Sequence, residues 1–135
     1  MKYAIIDIEG IGEAYAAKFQ EVGINTAEEL LARGATAAGR AQVAEITGIS
    51  PKLILKWVNH ADLFRITGVG PQFAELLEAA GVDTVKELRH RNAANLAEKL
   101  AEVNYEKHLT RRVPAESELQ RMIDEAKVID PLITY

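Results

Sequence analysis

Two pairs of glycines carry most of the chemistry that this sequence can offer. Gly68-Val69-Gly70 runs into Pro71, and Gly10-Ile11-Gly12 runs into Glu13. A tight turn that only glycine makes easily, followed by a new helix, points successive backbone N–H groups at one spot, and the helix dipole adds partial positive charge there. An anion, above all a nucleic-acid phosphate, can approach because no side chain stands in the way. Contacts of this kind grip a backbone and read no sequence. The two turns differ in charge. Asp7, Glu9 and Glu13 crowd the first and oppose a phosphate, whereas Arg65, Thr67 and Gln72 offer donors around the second. The second turn is therefore the expected site, with backbone donation from Gly68, Val69 and Gly70.

Other chemistry finds little support. Cysteine is absent, which removes disulfides, thiol nucleophiles and cysteine-held metals, and fits a reducing cytoplasm. His60, His90 and His108 have no metal-ligand spacing, so no metal is expected. Asp124 and Glu125 are adjacent and point in different directions from a helix, which is poor geometry for acid–base work. The Gly68-Val69-Gly70 segment lacks the third glycine and preceding strand of a dinucleotide site. No catalytic residue, no cofactor and no enzymatic activity are expected.

Charge sharpens the picture. The 135 residues carry a formal charge of -4, so no general positive field draws in nucleic acid. Its distribution is uneven: from Lys86 to Arg112 seven basic residues face four acidic ones. Arg89, Arg91, Arg111 and Arg112 in that stretch are expected as secondary phosphate contacts, provided that they share a face with Gly68. No apolar run approaches the roughly 20 residues of a membrane span, and the expectation is a cytoplasmic protein with no membrane partner.

The elements that must position these residues read as helices. Ile8-Glu9-Gly10-Ile11-Gly12 recurs as Ile66-Thr67-Gly68-Val69-Gly70, and the match continues through Ala16 and Ala74, Gly23 and Gly81, and Thr26 and Thr84. Helical spacing follows each glycine pair, with Pro71 at a first-turn position. Gly23 and Gly81 end these helices, and Thr26-x-x-Glu29 and Thr84-x-x-Glu87 read as capping boxes of the next ones. Thr36 caps a helix reaching about Thr47, with Gly48 as its stop, and Ser50-Pro51 opens one through Trp57 and Ala61, with Lys52, Lys56 and Asn59 on its charged face and Trp57 in the core. Asn95 to Glu102 reads as helix, 105–116 as the longest loop, and Ser117-x-x-Gln120 as the cap of a final amphipathic helix. Residues 2–6 and Leu132 to Tyr135 could pair as a terminal ribbon or pack as coil. The class is all-α, with about eight short helices in two repeats, 1–64 and 65–135, packed as one unit.

Phe64 to Leu77, with Ile66-x-Gly68-Val69-Gly70-x-x-x-Ala74 at its centre, resembles the helix-hairpin-helix motif. Ile8 to Phe19 resembles the hairpin and second helix of the same motif, with too few residues before it for a full first helix. Over nearly its whole length the chain is similar to bacterial tandem helix-hairpin-helix proteins of a family of unknown function. The resemblance implies the fold, and by analogy binding of DNA or RNA backbone without sequence preference. The alternative that the net acidity favours is a protein–protein scaffold, such as a homodimer, in which both hairpins are architectural.

Overall fold

Short polar side chains start four of the helices. In the computed structural model, which describes residues 3–135, Thr26, Thr36, Thr84 and Asn92 each accept a hydrogen bond from the backbone N–H three residues on, at 3.0–3.1 Å. The eight α-helices among the described residues are α1 (Glu13–Glu21), α2 (Ala27–Gly34), α3 (Ala37–Thr47), α4 (Pro51–Leu63), α5 (Pro71–Ala79), α6 (Val85–Leu88), α7 (Ala93–Lys107) and α8 (Glu116–Val128), preceded by a 3-10 turn at Ile5–Asp7. The chain divides into two units, one running to Asp62 and taking in Leu132–Tyr135, the other Leu63–Pro131.

The first unit is built around Trp57. Its indole is 1% exposed and meets Tyr15 and Phe19 of α1 edge-on, with ring centroids 5.0 and 6.0 Å away. Ile8, Ile24, Leu30 and Val43 complete the apolar interior. Asn59, expected on a charged face, is buried at 5% exposure. Among the described residues the two terminal segments do not form a ribbon with each other. Ala4 makes an isolated bridge with Thr26, and the Thr134 N–H donates to Ala35 O at 2.8 Å. Arg40, itself buried, fixes the second of these by donating to Gly34 O, Ala35 O and Thr134 O. Lys2, part of the expected ribbon, lies outside the described residues.

In the second unit α7 and α8 pack on one another, α6 packs on α8, and α5 on α7, around Leu76, Leu77, Leu88, Leu100 and Leu119. Two boundaries differ from the sequence reading. Helix α7 starts at Ala93, because Asn92 caps it, and continues to His108, which closes it in the left-handed conformation with φ 53°. Helix α8 begins at Glu116 rather than after Ser117, since the Glu118 carboxylate receives the Ala115 N–H at 3.2 Å. The loop is accordingly shorter, residues 108–115, and Asn104 pins it by bonding both N–H and C=O of Thr110 at 3.0 Å.

The sequence repeat is a repeat of backbone hydrogen bonds. Ile11 N–H donates to Ile8 O and Val69 N–H to Ile66 O; Ala16 to Gly12 and Ala74 to Gly70; Ile24 to Phe19 and Val82 to Leu77; Leu30 to Thr26 and Leu88 to Thr84. Gly10 and Gly68 occupy the same left-handed region, with φ of 94° and 92°. The copies then diverge. Thr26 and Glu29 form a reciprocal capping box, whereas the Glu87 carboxylate turns to Arg91 and leaves only the Thr84 half of the second. Helix α6 is correspondingly short.

Candidate functional site

A groove of about 270 Å³ lies beside the second glycine turn. Gly68, Gln72 and Phe73 line it from the turn and α5, Thr110, Arg111, Arg112 and Pro114 from the 108–115 loop, and Glu118 and Met122 from α8. The loop reaches this position because Asn104 holds Thr110 and because Pro114 is buried. Four of the ten residues singled out from the sequence, Gly68, Gln72, Arg111 and Arg112, therefore share one concave surface.

Charge within the groove is partly balanced. Arg112 and Glu118 form a two-pronged ion pair, 2.9 Å on each prong, with the Arg112 side chain largely in solvent and that of Glu118 39% exposed. The hydrogen bonds from Arg112 and from Ala115 N–H hold the Glu118 carboxyl at about 2, well below its ordinary 4.5. Arg111 is exposed and makes no ion pair or hydrogen bond among the described residues.

The other six residues have internal partners. The Val69 N–H donates to Ile66 O at 3.1 Å. Gly70 is the N-cap of α5 and its carbonyl accepts from Ala74. Thr67 is clasped by α8: the Glu125 carboxylate receives its N–H and its hydroxyl, and Arg121 donates to its carbonyl at 2.7 Å. Arg65 donates to Asp130 O. Arg89 satisfies the open carbonyls at the end of α8, Ala126 and Ile129, and Arg91 bonds Gly81 O and pairs with Glu87 at 2.9 Å. Helix ends leave such carbonyls without partners, and a guanidinium fork is a good match for them.

Sequence reasoning missed Thr110, Glu118 and the Arg121–Glu125 pair. The last left a signal: the two residues stand four apart, flanking Met122 on the apolar face of α8, where they can reach whatever that face covers.

At the first turn the neighbour is different. A Cβ on Gly10 would stand 3.2 Å from Trp57 Nε1, whereas one on Gly68 would stand 3.2 Å from the Arg121 guanidinium and 3.3 Å from Met122 Cε. The first unit also carries a more open hollow of about 590 Å³. Small and apolar residues such as Ala41, Ala44, Ile49 and Leu55 dominate its lining, and its arginine, Arg40, is already committed to three carbonyls. Among the described residues no three His, Asp or Glu side chains gather as a metal site, and no helix is long and apolar enough to cross a membrane.

A family described as a domain of unknown function (DUF4332) matches residues 9–129, and the chain belongs to it. No curated protein and no solved structure matches significantly.

Proposed function

We propose that the chain is a pair of helix-hairpin-helix units and a non-catalytic module that grips the phosphate backbone of DNA or RNA, without sequence preference, at the groove beside Gly68. The observation that supports the reading is the meeting of Arg111 and Arg112 with Gly68 and Gln72, more than thirty-five positions away in sequence, on one surface. In this reading Arg111 supplies the charge that no internal partner claims, Gln72 donates from the first turn of α5, and the glycine lets the backbone ridge approach. Arg112 exchanges Glu118 for a phosphate oxygen. Arg65, Thr67, Arg89 and Arg91 hold α8 and its neighbours in place, and so act on the groove indirectly.

The test is a salt titration of binding to a generic labelled duplex and single strand. Affinity should fall by about one log unit per log unit of salt for each phosphate neutralised. Replacing Arg111 by Ala should weaken both ligands and flatten that slope, because the side chain supports nothing else. Undetectable affinity at low salt, or an unchanged slope in the variant, sinks the proposal.

A second reading rests on the clasp between α8 and Thr67. A carboxylate already sits on the hairpin donors that a phosphate would use, which is what an architectural hairpin in a protein–protein scaffold or homodimer requires. Light scattering over a concentration series separates the two: self-association without nucleic-acid affinity favours the scaffold.

A further inference from the structure

Resting on the backbone-gripping reading, we infer that the groove takes a single-stranded nucleic acid, with one unpaired base on its floor, in preference to a duplex. Its lining is of two kinds. Phe73, Pro114 and Met122 give an apolar floor, while Gln72, Thr110, Arg111 and Arg112 supply polar and cationic groups. A phosphodiester ridge needs only the second kind. Oxygen-rich phosphate gains nothing from an aromatic ring, a proline and a thioether, whereas a nucleobase presents a flat apolar face to them and hydrogen-bonding edges to an amide. Paired bases turn those faces and edges inward and cannot enter a concave site of this size.

The placement of the cations fits the same ligand. Arg111 and Arg112 stand on the loop next to Pro114, so a strand whose base lies on the floor keeps its phosphates at the arginines. Two arginines against one glutamate leave the lining with an excess of positive charge, against the acidity of the chain as a whole. Phe73 is half-buried on α5, which fixes its ring without hiding it. A rigid, partly open aromatic is the side chain that stacks at least entropic cost. The committed occupant is thus an unpaired stretch of nucleotides, read by stacking and charge and not by base identity.

Fluorescence anisotropy at low salt should compare three probes of equal length: an oligothymidine strand, the same backbone without bases, and a duplex. The strand with bases should bind about tenfold more tightly than the abasic strand and the duplex, the contribution of roughly one stacked base. Phe73→Leu, which keeps an apolar group of similar bulk in α5, should remove most of that difference and leave abasic binding unchanged, with an unaltered circular-dichroism spectrum. Equal affinity for all three probes overturns the base-on-the-floor inference and leaves the backbone-gripping reading intact. Binding of none of them overturns both.

Discussion

The Glu125 carboxylate receives both the backbone N–H and the hydroxyl of Thr67, at 3.1 and 3.2 Å, and so brings a carboxylate, paired with Arg121, onto the glycine turn. Glu125→Gln keeps an acceptor for Thr67 and removes the charge. If phosphate binds in the adjacent groove, this variant should bind single-stranded DNA more tightly than the parent at low salt, because a repulsive charge near the anion is gone. Glu125→Ala should lower stability by about 0.5–1.5 kcal/mol in urea unfolding, the usual worth of such hydrogen bonds. Unchanged affinity in Glu125→Gln would show that the anion lies elsewhere.

Gly10 and Gly68 share a backbone conformation but not a neighbour. Alanine at either position must adopt a positive φ that L-residues avoid, and Gly10→Ala must also displace an indole packed between Tyr15 and Phe19. Gly68→Ala meets only the tips of Arg121 and Met122, which can move. The expected losses are about 2–4 kcal/mol for Gly10→Ala and about 1–2 kcal/mol for Gly68→Ala, measured by chemical unfolding. The reverse order would contradict the packing described for Trp57.

His108 closes α7 with φ 53°, a conformation that costs a side chain about 1 kcal/mol. His108→Gly should raise the unfolding midpoint by a corresponding amount. The ring is exposed, so little packing is lost in exchange. A lower midpoint would mean that the imidazole contributes contacts of its own.

The Glu118 carboxyl, held at about 2 by Arg112 and Ala115 N–H, sets a pH window. A carboxyl lowered in the folded state contributes stability that is present above its ordinary value of 4.5 and lost as pH falls toward about 2. At neutral pH the pair is therefore intact, and it should survive acidification through pH 3. Carboxyl-carbon NMR titration should place the Glu118 midpoint well below 4, and Arg112→Ala should raise it. A midpoint near the ordinary value in the parent protein would show that the ion pair does not persist in solution.

Much of this was legible in the sequence because it depends on local chemistry. The caps Thr26, Thr36 and Thr84, the left-handed Gly23, Gly48 and Gly81, and the buried Trp57 follow from residue type and spacing. The repeat was legible for the same reason, since its hydrogen bonds close within a few positions. Which arginines face solvent was not. Arg89 and Arg91 look like a basic cluster in one dimension, yet Arg89 is drawn to carbonyls at the end of α8 that only tertiary packing supplies, and Arg91 to Gly81 O and the Glu87 carboxylate. Arg111 and Arg112 look similar in sequence and lie at the groove, because Asn104 turns their loop toward Gly68. The capping position of α8 was misread for a smaller reason: Glu118 can reach Ala115 N–H without a hydroxyl at the N-cap.

The strap Leu132–Tyr135 has a consequence for synthesis. It belongs to the first unit, where Arg40 and Ala35 hold Thr134, yet it follows the whole of Leu63–Pro131 along the chain. At about 5–20 residues per second, a ribosome takes several seconds to make the intervening segment. Throughout that time the carbonyl of Ala35 keeps only its bond from Arg40, and one arm of the Arg40 guanidinium lacks the Thr134 carbonyl. Of the two units, the one that emerges first is thus the last to be completed, and it waits unlatched while the other is made.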